Sequence, residues 1–144
     1  VNRASWANHQ KQLASIRTIV FMDEQGVPAD LEWDGLDADA QHVLATTADG
    51  TAIGCARMLT TADDPGHIGR MAVLANFRGQ GVGSSLLIAL MDWARSMGLE
   101  STHLDAQVDA IGFYEQHGFC AHGAVFMDAG IPHRHMSRTL DRPN

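Results

Sequence analysis

The sequence predicts a mixed α/β (α+β) fold in one domain, 1–144. Strand-like and helix-like segments alternate along the chain. A glycine-rich loop at Gly79, Gly81 and Gly83 joins a predicted strand to an amphipathic helix. The 144 residues are 45% hydrophobic, with no repeat, low-complexity tract or linker. A chain of that length buries roughly two-thirds of its unfolded surface in one core, without a metal or disulfide staple.

Ser5 to Gln25 reads as a helix, with Trp6, Leu13, Ile16, Ile19, Val20 and Phe21 clustered at spacings near three and four. Val27-Pro28 stops it. Ala29 to Ala40 is acidic, with Glu32, Asp34, Asp37 and Asp39, and reads as a loop or short helix. A solvated surface and a functional segment are both open for it. His42–Thr47 and Thr51–Thr60 read as strands around Ala48-Asp49-Gly50, since Asp-Gly accepts positive φ. Asp63-Asp64-Pro65-Gly66 reads as a second turn, followed by a strand from His67 to Leu74.

After the glycine loop, Val82, Leu86, Leu90, Trp93 or Ala94, and Met97 recur at helical spacing, so Ser84 to Met97 is a helix closed by Gly98. Ser101–Gln107 is a strand and Asp109–His117 a short helix ended by Gly118. Phe119–Phe126 and Arg134–Leu140 are the last strands, joined by a loop holding Asp128-Ala129-Gly130-Ile131-Pro132.

Ten Lys and Arg against 17 Asp and Glu give a formal charge of −7. That balance argues against nucleic acid, whose phosphates need a basic face, and favours a cationic partner such as an amine. No apolar run is long enough to span a membrane, and no basic-then-apolar leader opens the chain. Cys55 and Cys120 form no C-x-x-C pair and read as free, packed thiols of a reducing, cytoplasmic compartment. His133 and His135 share a strand face, but without a third ligand motif no metal is expected.

The most informative motif is the strand–glycine loop–helix. Glycines at a helix entry leave backbone N–H groups bare at the positive end of the dipole, which is an anion site, and Ser84 and Ser85 add hydroxyls. No Gly-Lys-Ser/Thr follows, which excludes a P-loop, and Ser84 stands where a dinucleotide fingerprint needs glycine. Arg78, Gly81 and Gly83 do match R/Q-x-x-G-x-G/A, the pyrophosphate loop of acyl-CoA-binding transferases.

Downstream, Ala110-x-x-Phe113-Tyr114-Glu115-x-x-Gly118-Phe119 follows the strand ending at Gln107. With both motifs in order, the chain resembles the GNAT superfamily of acetyl-CoA-dependent N-acetyltransferases along nearly its whole length. More narrowly it resembles the YjcF/ElaA-like branch. The residues carrying that are Ile16-Arg17 through Gln25, Glu32-x-Asp34-x-x-Asp37 with His42, and Asp128 through His133 with Met136.

The resemblance implies a mixed, strongly curved sheet flanked by helices, its two central parallel strands, 67–74 and 101–107, splaying apart. It implies acetyl-CoA in the splay, with the pantetheine arm along Met71, Ala72 and Val73. The pyrophosphate would sit on Arg78, Gly79, Gln80, Gly81, Val82, Gly83 and Ser84. Gln107 would contact the arm where the family often has Asn. The family's first strand is nearly absent, with only Val1 to Arg3 left for it.

Thioester aminolysis needs an oxyanion donor, supplied in the family geometry by the N–H of Met71 or Ala72. It also needs an acid for the departing thiolate. Tyr114, the one tyrosine, falls at the family's general-acid position. The base candidates are Glu24, Glu32, His67, His133 or a water chain to solvent. Arg70 is either an acyl-pocket or carboxylate contact or a surface ion pair. The expected activity is acetyl transfer from acetyl-CoA to a primary amine on a small molecule or peptide. A non-catalytic acyl-CoA-binding module is the alternative, and an exposed sheet edge or the late strands could pair two chains.

Overall fold

The computed structural model describes residues 1–140. Seven strands form one sheet in the order β1-β2-β3-β4-β5-β7-β6. All neighbours are antiparallel except β4 and β5. The short first strand exists: β1 (Asn2–Ala4) pairs Asn2 with Leu44 and Ala4 with His42 of β2 (Gln41–Thr46). β3 (Ala52–Thr61) returns from β2 around a turn in which Gly50 takes φ +88°.

The first predicted helix is two pieces. α1 (Trp6–Arg17) is entered through Ser5, whose side chain accepts a bond from the Asn8 amide. Thr18–Glu24 continues it with wider π-helical turns, a feature concentrated at functional sites. The wider turn also rotates the face, leaving Ile19 exposed while Val20 stays buried. α2 (Ala29–Glu32) is one short turn after Pro28.

β4 runs Asp64–Val73, so it begins three residues before the predicted start at His67. The turn is Ala62-Asp63, not Asp63 to Gly66. Pro65 and Gly66 read as turn residues but sit at a β-bulge, where both are tolerated. Thr60 pairs with Pro65 and Leu59 with His67, leaving Gly66 as the extra residue at φ +80°. A Cβ there would lie 2.8 Å from the Ser101 carbonyl oxygen, so only glycine fits. A second bulge follows: Arg57 pairs with Gly69 and Cys55 with Ala72, so Arg70 and Met71 face one β3 residue, and Arg70 takes φ +53°.

α3 (Val82–Ser96) and β5 (Ser101–Gln107) match the expected segments within two residues. Val108–Ala110 is a 3-10 turn leading into α4 (Ile111–Gln116). β6 (Cys120–Asp128) and β7 (Ile131–Thr139) extend further than predicted, because only Ala129 and Gly130, at φ +53° and +76°, make the turn. Two positive φ angles suit a tight hairpin. Pro132 pairs with Met127 of β6 but lies outside the β5 ladder, which begins at His133, so its missing N–H disrupts nothing there.

Helices cover both faces of the sheet. α3 buries Leu86, Leu87, Leu90, Met91 and Ala94 against Val43, Met58, Ile68, Leu104 and Met136. Leu13, Ile16 and Val20 pack the opposite face against Leu44, Cys55 and Ala72. Alternate residues of β2, Val43 and Leu44, thus serve different cores. Cys55 is buried as expected, and its thiol pKa is pushed up to about 12 by desolvation. Cys120 is exposed on the edge strand rather than packed. No helix among the described residues is long and apolar enough to cross a membrane.

Candidate active site

Only His67↔His103 and Ile68↔Leu104 join β4 to β5, after which the strands part. A cavity of about 380 Å³ opens at this split. Met71 lines it from β4 and Gln107 from β5, with Tyr114 and His133 beside them. Phe21, within the π-helical segment, and Gln25, just after it, also line the cavity.

Tyr114 is 8% exposed, and burial alone pushes its pKa up to about 12. The phenol therefore keeps its proton throughout the neutral range. Phe113 and Phe119 meet its ring edge-to-face, with centroids 5.0 and 5.9 Å away, and hold its orientation. His133 stands opposite Gln107 in the β5–β7 register. Its Nδ1 lies 2.7 Å from the Ile131 carbonyl oxygen, which can only accept. That bond places the neutral ring's proton on Nδ1 and leaves the Nε2 lone pair free.

The glycine loop fits a pyrophosphate. Gly79 and Gly81 take φ +77° and +83°, and a Cβ at either would meet nothing within 4 Å, so the space above the loop is open. No side chain caps α3, which leaves its first amides for a ligand. Gly83 instead backs onto Phe113, whose ring would lie 3.5 Å from an added Cβ. The Ser84 hydroxyl is 3.0 Å from His117 Nε2, so the helix entry is tied to α4. Arg78 donates from Nε to the Val73 carbonyl at 2.9 Å and from Nη2 to Glu24 at 2.7 Å.

The other expected residues divide. Glu24 lies beside the glycine loop with its carboxylate committed to Arg78 and does not line the cavity. The Gln107 amide, expected on the cofactor arm, donates to Gln25 Oε1 at 2.8 Å. Ala72 is buried against α1 while Met71 and its neighbours form the cavity wall. His67 lines the cavity, with Nδ1 3.1 Å from Asp64.

The acidic segment is only in part a solvated surface: Asp34 and Asp39 are exposed, but two of its acids are not. Glu32 and Asp37 are 2% and 5% exposed, buried with Arg17 and Arg57. Arg17 donates to Glu32 at 2.7 Å and to Asp37 at 2.6 Å, and Arg57 to Asp34 at 2.6 Å. Arg70 reaches the Glu32 carbonyl at 3.1 Å and Asp34 at 3.3 Å, so it belongs to this cluster as well as to the cavity wall. Burial raises the Asp34 pKa, but the Arg57 bond, the Leu36 amide and the charges of Arg57 and Arg70 outweigh that and hold it at about 2. His42, its pKa lowered by burial, donates to the Asp37 carbonyl at 2.9 Å. The Glu32-x-Asp34-x-x-Asp37…His42 pattern thus acquires a chemical meaning: it fastens α2 and its loop over the cavity.

The fold matches that of a known family. The family model described as "Acetyltransferase (GNAT) family" matches residues 6–119. The chain belongs to this family. Among its relatives is an uncharacterized N-acetyltransferase, YjcF of Bacillus subtilis (strain 168), 34% identical over 140 residues that cover 94% of this chain and 99% of the relative. The crystal structure of Escherichia coli ElaA superposes with a TM-score of 0.84 at 28% identity, covering 95% and 97% of the two chains. An acyl-CoA N-acyltransferase structure from Pseudomonas aeruginosa gives 0.83 at 30% identity, covering 95% and 97%. As a GNAT protein the chain is an acyltransferase by family, and GNAT enzymes generally use an acyl-CoA as cosubstrate.

Proposed function

We propose that the protein transfers an acetyl group from acetyl-CoA to a primary amine, with Tyr114 as general acid and His133 as general base. The observation that carries this reading is the buried, protonated Tyr114 on the cavity wall at the β4–β5 split. Acetyl-CoA, when bound, supplies an activated acyl carbon and a thiolate leaving group.

The glycine loop, Arg78 to Ser84, holds the pyrophosphate with bare amides, while Met71, Ala72 and Val73 offer a strand edge to the pantetheine arm. The second bulge supports this, because it leaves Arg70 and Met71 without one-to-one partners on β3. A backbone N–H of Met71 or Ala72 then donates to the carbonyl oxygen as charge builds there. His133 Nε2 takes the proton of the attacking amine as the N–C bond forms. Tyr114 gives its proton to sulfur as the C–S bond breaks. Glu24 is paired with Arg78 outside the cavity and carries no proton in this arrangement. Asp105 and Asp128 on the cavity wall favour an ammonium-bearing acceptor, which is a small-molecule or peptide amine.

The test is a steady-state assay with acetyl-CoA and a panel of primary amines, run beside calorimetric binding of CoA. Turnover by the wild type, lost in Tyr114→Phe with CoA affinity unchanged, supports the assignment. CoA binding without turnover on any amine would make the chain an acyl-CoA-binding module instead.

A further inference from the structure

Asp64, His67 and His103 come from two strands, and their approach depends on two backbone features described above. In a regular strand, positions 64 and 67 face opposite sides of the sheet. The extra residue at Gly66 reverses that alternation and brings the Asp64 carboxylate to the His67 ring. The parallel register then sets His103 directly opposite His67, and the two rings stack with centroids 4.7 Å apart. Asp64 spans them, with Oδ2 3.1 Å from His67 Nδ1 and Oδ1 2.5 Å from His103 Nε2.

We propose that these three side chains bind a first-row transition dication, with Zn²⁺ the best match to two imidazole nitrogens and a carboxylate. Their ligand atoms lie within 4.8 Å of one another. Zinc bonds of about 2.0–2.2 Å place tetrahedral ligands roughly 3.3 Å apart. The His67–Asp64 spacing is already close to this, and a small rotation of His103 opens its contact to the same value.

Two further observations support an ion. His67 Nε2 lies 3.9 Å from Asp105 Oδ2, so a ring bound through Nδ1 turns its remaining N–H toward a carboxylate, the usual outer partner of a metal-bound histidine. The charge is also unbalanced. Among the described residues, Asp64 pairs only with His67 and His103, and Asp105 only with His67 and His135, with no lysine or arginine on either. No permanent cation among the described residues faces these two carboxylates, and a dication would supply one. The fourth coordination position stays open to water, and His67 connects the ion to one end of the cavity. His67 lines the same cavity as Tyr114 and His133, but none of the three ligands carries a proton in the proposed reaction, and occupancy is measurable without turnover.

The test uses the full chain, free of any affinity tag and stripped with chelator. Zn²⁺ is titrated by calorimetry and Co²⁺ by visible absorption. We expect one ion per chain. Asp64→Asn and His103→Gln each lower affinity about tenfold or more, while His122→Gln leaves it unchanged. Imidazole ¹⁵N spectra of the wild type, which need no variant to fold, should move on Zn²⁺ addition at His67 and His103. No binding, equal affinity in Asp64→Asn and His103→Gln, or spectral movement confined to other histidines would overturn the site. The last two results would leave adventitious zinc binding, and the first a plain His–Asp–His hydrogen-bond network.

Discussion

Glu24 and Arg78 form an ion pair of 2.7 Å that links the end of the π-helical segment to the glycine loop. Both side chains are partly exposed, so the pair itself contributes only about 0.2–1 kcal/mol. A pyrophosphate arriving on the loop competes with Glu24 for Arg78. Glu24→Gln should therefore tighten CoA binding by up to about fivefold by calorimetry, with the gain fading at high salt. A large loss of kcat with unchanged CoA affinity would instead make Glu24 the base.

Tyr114→Phe should retain CoA affinity and lose kcat by about 10²-fold, the lower end of the range for a positioned acid, because a thiolate is already a fair leaving group. The fold should hold, since the ring contacts with Phe113 and Phe119 persist. The pKa near 12 adds a pH expectation: no loss of rate between neutral pH and about pH 10 arises from ionisation of this phenol. A basic limb that disappears in Tyr114→Phe would contradict it.

The glycine loop separates fold from binding at two positions. Gly81→Val puts a side chain into the open space above the loop at φ +83°, costing about 1–2 kcal/mol in backbone strain and blocking the phosphate position. Its thermal shift with CoA should vanish while a folded circular-dichroism spectrum remains. Gly83 has an ordinary φ and a 3.5 Å contact to Phe113. Gly83→Ala should fold normally, and Gly83→Val should disturb Phe113 and weaken CoA binding. Unchanged CoA affinity in a folded Gly81→Val would remove the loop as the phosphate site.

Asp34 sets an acid-stability window. Its pKa falls from 3.8 unfolded to about 2 folded, so its contribution is complete above pH 3.8 and is lost as pH drops through 2. Asp34→Asn should cost about 1–3 kcal/mol at neutral pH, from the bonds to Arg57. Urea midpoints of wild type and variant should converge on acidification across that window. A constant difference at all pH values would exclude the linkage.

Local signals made much of this legible. The spacing of Leu86 and Leu90 located α3, and the strand expected at Ser101–Gln107 is β5 to the residue. The glycine loop and the place of Tyr114 on the cavity wall followed from short motifs. What was hidden depends on distant partners. Glu32 and Asp37 look like solvated acids until Arg17 and Arg57 arrive from other elements. Pro65-Gly66 looks like a turn because a bulge uses the same residue types. His67 and His103 are neighbours only through the parallel register. Gly66 between Asp64 and His67 was the one local hint, legible only with the strand pairing in hand.

The ion-pair cluster of Arg17, Arg57 and Arg70 with Glu32, Asp34 and Asp37, buried at Arg17, Arg57, Glu32 and Asp37, divides the work along one short segment. Asp34 and Asp37 are fasteners, Glu32 is a fastener that also lines the cavity, and Val27 and Leu31 on the same segment line it without any ion pair. Directional ion pairs hold it in register, where a greasy contact would let it slide. The wall can thus be rewritten without unfastening the segment. A library that randomises Val27 and Leu31 and leaves the three acids alone is the natural starting point for changing acceptor preference in the proposed reaction.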